Sequence, residues 1–298
     1  MRAPVRSLLF VPGDSERKLE KSQSSRADGV VLDLEDSVAA ARKPLARRMV
    51  TQHLKAGKFA PGTTQWVRIN PADTPEALLD LAAVVGGRPT GILLPKAAGP
   101  GDVRTVSLYL DALEAREGLE LGSTLILPVV TETAHASLAI ADYRNVRLPR
   151  LFGLTWGAED LSADIGAASN SDADGRLSLT YRMVRSLTLL AAKACRVEAI
   201  DTVFPDYRNL EALRASCVAS CREGFTGRFA IHPDQVDVIN EAFSPSAADI
   251  AHSEKVVAAF AAAPDAGTVG LDGKMLDKPH LTQAQRILVL RDALAARR

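Results

Sequence analysis

The sequence predicts an α/β fold, a (β/α)8 TIM barrel with a C-terminal helical extension, on three observations. Eight apolar runs of strand length alternate with helix-like stretches at intervals that allow βα units. The runs tend to end in Gly, Pro, Asp or Asn breaks, and these gather polar residues at one end of the strands. No GxGxxG follows an early strand, which counts against the main rival, an open doubly wound sheet with a dinucleotide fingerprint.

The elements follow in order. Ser7–Val11 is a β-type run stopped by Pro12-Gly13, with Asp14 or Ser15 as cap of a helix through Ala27. Gly29–Leu34 is apolar except for Asp33, and Glu35-Asp36 turns into a helix over Lys43–Gly57. Trp66–Ile69 makes the third strand, and Pro75 sits in the first turn of helix Thr74–Val85, where a missing N–H costs nothing. Gly91–Leu94 ends in Pro95-Lys96 and leads to an amphipathic helix at Asp102–Glu117. Leu125–Val130 and Leu151–Leu154 are the fifth and sixth strands, with helix His135–Tyr143 between them. The Ser-, Ala-, Asp- and Gly-rich stretch Ser162–Arg176 reads as a loop or short helix over a ligand site, before helix Leu177–Ala194. Ala199–Val203, helix Leu210–Glu223, Gly227–Ile231 and helix Gln235–Phe243 complete the eight units. A barrel over residues 1–245 does not need residues 246–298. There, helix Ala247–Ala263, a break with some strand character at Gly267–Gly273, and helix Leu281–Ala296 form either packing decoration or an arm that reaches a neighbouring subunit.

Composition narrows the functional classes. Of 298 residues, 36 are Lys or Arg and 36 are Asp or Glu, so no strong field exists for nucleic acid or anionic lipid. Cys195, Cys217 and Cys221 are odd in number and lack finger-like histidine spacing, which leaves buried, reduced thiols as the expectation. The N-terminal apolar run ends in Pro-Gly-Asp rather than small residues, and no run reaches membrane-spanning length. A soluble, cytoplasmic enzyme with no membrane or nucleic-acid partner is expected.

The chemistry is organised around Leu125–Asp160. Each of its two strand-like runs is followed by a nearby acid, Glu132 in one case and Asp160 in the other. Carboxylates just beyond strand ends sit where α/β folds place their chemistry, and two of them can share a hard cation such as Mg²⁺. Taken singly, each acid also reads as a helix cap or a solvated loop residue. The other strand ends add Asp33, Glu35 and Asp36, with Arg68 and Lys96 as cationic partners for an anionic ligand. Asp33 and Glu35 share a side if the strand persists, while Asp36 belongs to the turn. Arg68 can grip a carboxylate in bidentate fashion, or form a structural ion pair with Asp33, Glu35 or Asp36. His232 precedes a proline and reads more readily as a turn anchor than as a base, and His53 and His252 read as helix-surface residues. No HExxH, GxSxG or Walker lysine loop is present.

With these residues in view, the chain resembles the citrate lyase beta-subunit-like branch of the HpcH/HpaI aldolase superfamily. The stretches that carry the resemblance are RSLLFVPGD, ADGVVLDLEDSV, VRIN, GILLPKA, LPVVTETA, GAEDLSADIG, DTVFPDYRNLEAL, GFTGRFAIHPDQV and GKMLDKPH, in order over nearly the full length. The resemblance implies Mg²⁺ held by Glu132 and Asp160, Arg68 on the carboxylate or carbonyl end of the substrate, and trimers or hexamers. It also implies that Asp277, in GKMLDKPH, completes the site of an adjacent subunit as acid or base. The implied reaction is carbon–carbon cleavage of a 3-hydroxyacyl-CoA thioester of the malyl-, citramalyl- or citryl-CoA type. Lys18, Arg42 and Lys96 are the available cations for the CoA phosphates, and Glu35 and Asp36 complete the substrate-facing set. Alternatives are malyl-CoA hydrolysis by a thioesterase relative, and a non-catalytic or carrier-dependent subunit of a larger complex.

Overall fold

The computed structural model describes residues 4–297. Eight parallel strands form one sheet: β1 (Ser7–Pro12), β2 (Gly29–Asp33), β3 (Thr64–Arg68), β4 (Gly91–Leu94), β5 (Leu125–Pro128), β6 (Gly153–Thr155), β7 (Glu198–Asp201) and β8 (Gly227–Ala230). Their order is β5-β4-β3-β2-β1-β8-β7-β6. The circle closes between β5 and β6 without a continuous ladder, through Ile126 N to Arg150 O at 2.8 Å, Phe152 N to Ile126 O at 2.9 Å and Val130 N to Thr155 O at 2.9 Å. The outer ring comprises α1 (Glu16–Ser22), α2 (Lys43–Ala56), α3 (Pro75–Val84), α4 (Pro100–Arg116), α5 (Ala134–Ala139), α6 (Glu159–Asp164), α7 (Leu179–Ala194), α8 (Leu210–Glu223) and α9 (Asp234–Ala242). Among the described residues, no helix is long and apolar enough to cross a membrane.

Strand periodicity sorts the core into two layers. Val31, Trp66, Leu93, Leu127, Ile200 and Phe229 fill the barrel, whereas their neighbours Val30, Leu32, Val67, Ile92 and Ile126 pack outward with the helices. Alternation carries directly into the chemistry, because Asp33 and Arg68 lie two residues beyond the inward Val31 and Trp66. Gly91 makes room for the buried indole: a Cβ there would come within 2.3 Å of Trp66.

Several boundaries differ from the sequence reading. The first helix stops at Ser22 instead of Ala27, where Ser22 Oγ donates to Leu19 O and Ser24 Oγ to Lys21 O, side-chain bonds that compete with helix continuation. The third strand runs over Thr64–Arg68 and the sixth over Gly153–Thr155, each shifted from its apolar run. The Ser162–Arg176 stretch, by contrast, begins in a short helix as expected, since α6 extends to Asp164. His53 is buried rather than on the helix surface, edge-on to Phe59 and near Ser22 Oγ. Of the cysteines only Cys217 is buried; Cys195 is half-buried and Cys221 exposed.

Beyond the barrel, α10 (Ala247–Ala262), the antiparallel pair β9 (Thr268–Leu271) and β10 (Lys274–Asp277), and α11 (Lys278–Ala295) share a small core of Val256, Phe260, Leu276 and Ala284. The break expected at Gly267–Gly273 is thus mostly a strand, and the hairpin turns at Asp272-Gly273, both with positive φ (49° and 75°), as a two-residue loop requires. Past α11, Arg297 donates to the carbonyls of Pro4, Asp28 and Gly62, which precede β1, β2 and β3. The extension is therefore bolted to the amino-terminal floor of the barrel.

Candidate active site

The carboxyl ends of the strands surround a cleft of about 400 Å³. Lys18, Asp33, Asp36, Arg68, Glu132 and Asp160 are among its lining residues, together with Phe10 and Trp156. Arg68, on the last residue of β3, presents a fork to Asp33, Nε to Oδ1 and Nη2 to Oδ2 both at 2.7 Å, while its Nη1 lies 2.8 Å from Glu35. It also lies over the Phe10 ring, 4.9 Å from the centroid. Burial alone would raise the Asp33 carboxyl, but the Arg68 fork overrides it and holds Asp33 below the usual range. Burial would lower Arg68, yet Asp33 and Glu35 raise it, so the guanidinium is a permanent charge.

Lys96 ties the acidic loops together. Its backbone is left-handed (φ 49°), a conformation uncommon for a side-chain-bearing residue, and its N–H donates to Glu132. Its ammonium reaches Glu35 at 2.6 Å, Asp160 at 3.3 Å and Asp36 at 3.5 Å. Burial works against its charge, but Glu35 and Asp160 raise its pKa. Glu35 is buried behind the cleft and one of its oxygens lacks a well-aligned hydrogen bond, although Arg68 lies within ion-pair distance of that same oxygen. The contact is thus an ion pair without good donor geometry. Burial raises the Glu35 carboxyl, and Arg68 and Lys96 offset only part of the effect.

Glu132 follows β5 on a loop braced against the loop after β6. Gly157 N donates to Thr131 Oγ1 at 2.9 Å, and Thr131 Oγ1 donates to Gly157 O at 3.0 Å. A Cβ on Gly157 would approach Glu132 to 3.2 Å, so glycine permits the two loops to meet. Trp156 is fixed in turn by its Nε1 donating to Asp201 at 2.6 Å. Burial pushes the Glu132 carboxyl up to about 8; the Lys96 N–H opposes this, while the charges of Asp160 and Glu35 add to it.

The donors suit a hard divalent cation. Around Arg68 and Lys96 stand Asp33, Glu35, Asp36, Glu132 and Asp160, an anionic excess in which buried Glu132 forms no ion pair among the described residues. Among the described residues no three His, Cys, Asp or Glu side chains form a ready metal cage. Two carboxylates with the remaining positions left to water and substrate is the pattern Mg²⁺ favours.

Other sequence candidates lie elsewhere. Arg42 pairs with Asp14 at 2.5 Å and does not line the cleft. His232 is held in a turn: Asp234 N donates to its Nδ1 at 3.3 Å and Tyr207 stacks on its ring, consistent with an anchor. Asp277 caps α11 and contacts His280, outside the cleft lining. Sequence reasoning missed Thr131 as the brace and Phe10 as the surface under Arg68; the alternation of β1 could have signalled the second, but nothing local signalled the first.

Comparison with known proteins agrees with this arrangement. The family model described as HpcH/HpaI aldolase/citrate lyase matches residues 6–233. The chain is 33% identical to a (3S)-malyl-CoA thioesterase of Cereibacter sphaeroides over 295 residues, covering 98% of this chain and 96% of the other. It is 34% identical to the mitochondrial citramalyl-CoA lyase of Mus musculus, covering 96% and 86%. The fold matches crystalline CitE from Mycobacterium tuberculosis in complex with magnesium, acetoacetate and coenzyme A, with a TM-score of 0.78, 33% identity and coverage of 97% and 99%. With a closed barrel, an acidic rim and a family model spanning the strands, the chain belongs to the HpcH/HpaI aldolase/citrate lyase family.

Proposed function

We propose that the protein is a Mg²⁺-dependent carbon–carbon lyase that cleaves a 3-hydroxyacyl-CoA thioester into an acyl-CoA and a 2-oxoacid. The observation that carries this reading is the buried Glu132 beside Asp160, joined through Lys96, in the cleft that Arg68 also lines. Relatives named for citramalyl-CoA cleavage, and CitE crystallised with magnesium, acetoacetate and coenzyme A, support the substrate class.

Glu132 and Asp160 would hold the cation, which when bound polarises the developing 2-oxoacid carbonyl and orients it. Arg68, immobilised by Asp33, offers a fixed charge to the oxoacid carboxylate and need not reorganise as charge shifts. Glu35 and Asp36 hold Arg68 and Lys96 in place against that anion. Cleavage removes the hydroxyl proton, breaks the bond between the thioester α-carbon and the hydroxyl-bearing carbon, and leaves an enolate that takes up a proton at carbon. We assign the proton-transfer role to Asp277 of a neighbouring copy, brought in by residues 246–298 acting as a unit distinct from the catalytic barrel of residues 1–245. A trimer or hexamer is the corresponding assembly, and Asp277 lying outside the cleft lining of its own chain supports it. Lys18 lines both the cleft and an adjoining groove of about 850 Å³ that also presents Arg17 and Lys21, a path suited to the CoA phosphates. Arg42, paired with Asp14 near that rim, is at most a peripheral contact.

A second reading, thioester hydrolysis, is favoured by the 33% identity to the (3S)-malyl-CoA thioesterase, which equals the identity to CitE. Malyl-, citramalyl-, β-methylmalyl- and citryl-CoA should be tested with and without EDTA, measuring both products. The lyase reading expects acyl-CoA and 2-oxoacid in equal amounts and loss of turnover with EDTA. Free CoA without glyoxylate or pyruvate would establish hydrolysis instead. No turnover with Mg²⁺ still bound would point to a carrier-dependent subunit.

A further inference from the structure

A second cavity, of about 730 Å³, lies beneath the barrel on the face opposite the cleft, between its amino-terminal floor and the C-terminal extension. Arg6, Arg26, Arg291 and Arg297 line it, and Asp28 is the single carboxylate in the lining. Arg6 meets Asp28 through Nε to Oδ2 at 2.8 Å and Nη2 to Oδ1 at 2.9 Å, and Arg297 Nη1 lies 3.1 Å from Asp28 Oδ1. The Arg6 and Arg297 side chains are only 18% and 12% exposed, and among the described residues Asp28 is the one carboxylate either meets. Two partly covered guanidinium groups share one carboxylate, so among the described residues the pair keeps a net positive charge that a bound anion would offset. Among the described residues Arg26 and Arg291 pair with exposed acids, Asp237 for the first and Glu254 and Asp292 for the second, and such surface pairs are weak enough to be exchanged.

Arginine forks match phosphate oxygens, and the volume falls in the range of small-ligand sites. Pro61, Ile250 and Leu294 supply an apolar wall for an organic portion. We propose that this cavity is a second binding site, taking a small phosphorylated anion. Arg6 and Asp28 come from the barrel while Arg291 and Arg297 come from α11 and its end, so the anion bridges the two. The inference does not depend on the chemistry assigned to the cleft.

Isothermal titration of the full chain with pyrophosphate and with ADP, at low chloride, tests it. The wild type and the Arg291→Gln, Arg297→Gln and Lys18→Gln/Lys21→Gln variants are compared. The expected result is binding at a site weakened tenfold or more by Arg291→Gln and Arg297→Gln and unaffected by the paired lysine change. Arg291→Gln decides the matter, because it removes no buried ion pair and leaves the floor contacts of Arg297 intact. Tighter binding of ADP than of pyrophosphate at that site would identify a nucleotide as the source, and equal binding the phosphates alone. Absence of binding, or unchanged affinity in Arg291→Gln, overturns the proposal.

Discussion

Arg68 and Glu132 show how single side chains acquire their properties. Arg68 is charged whatever the pH of the experiment, and its planar guanidinium is held rigid by the two bonds to Asp33. Lysine keeps the charge but not the fork, so Arg68→Lys is expected to lower kcat/KM by about 10- to 200-fold, the loss of a charged hydrogen bond worth roughly 1.5–3 kcal/mol. Steady-state kinetics with the preferred thioester checks this, and unchanged kcat/KM would remove Arg68 from substrate binding. Glu132 is a buried carboxylate whose charged form is only partly compensated, by the N–H and the charge of Lys96, so its carboxyl stays raised. Glu132→Gln is expected to abolish Mg²⁺ or Mn²⁺ binding, measured by calorimetry, and to cut turnover by at least about 100-fold. Retention of metal binding in that variant would contradict the ligand assignment.

At the scale of elements, the weakest seam is the closure of β5 on β6. Below it, Glu114 of α4 is fully buried and accepts from Gly122 N and Thr124 N at 2.8 Å, from Arg150 Nη1 at 2.8 Å and from Arg150 Nη2 at 2.5 Å. Arg150 also donates to Thr124 O at 2.9 Å, so one pair fastens a helix, the loop before β5 and the loop before β6. Removing the cation leaves a buried charge without its partner, and Arg150→Ala is expected to destabilise the protein by about 3–5 kcal/mol in urea unfolding. A change under about 1 kcal/mol would show that the seam does not need the clamp.

The same clamp has a pH signature. Burial alone would raise the Glu114 carboxyl, but Arg150 and the backbone donors hold it at about 2, below its ordinary 4.5. The unfolded chain therefore takes up this proton first. The stabilisation is fully present above about 4.5 and is lost as pH falls from there towards 2. Acid unfolding of Glu114→Gln should accordingly show a shallower loss of stability across that window than the wild type, when followed by circular dichroism.

For the whole molecule, the issue is where Asp277 works. Arg297 holds the far end of α11 to the barrel floor, and α11 has eighteen residues, a length of about 27 Å. Asp277 stands at the other end of this helix and does not line the cleft of its own chain. Asp277→Asn is expected to retain metal binding and lose turnover. Co-expression of Asp277→Asn with Glu132→Gln should yield mixed oligomers with activity that neither variant has alone, since some sites then receive an intact Glu132 from one chain and an intact Asp277 from another. No recovery in verified mixed oligomers, or a stable monomer in sedimentation, would place the proton elsewhere.

Sequence alone determined the eight βα units, because strand and helix periodicities are local properties of the chain. It also placed Arg68, Glu132 and Asp160 at strand ends, since each follows an apolar run closely. Whether Arg68 joined an acid or faced a ligand was left open by the residues; the fold pairs it with Asp33 and Glu35 and keeps it in the cleft lining. Where α1 stops depended on serine side chains competing for backbone carbonyls, and the burial of His53 depended on contact with Phe59. Only tertiary structure decided the Thr131–Gly157 brace, the left-handed Lys96 between two acidic loops, and the arginine-lined cavity under the barrel. Each joins residues far apart in the chain, and long-range proximity is set by barrel closure and not by any local pattern.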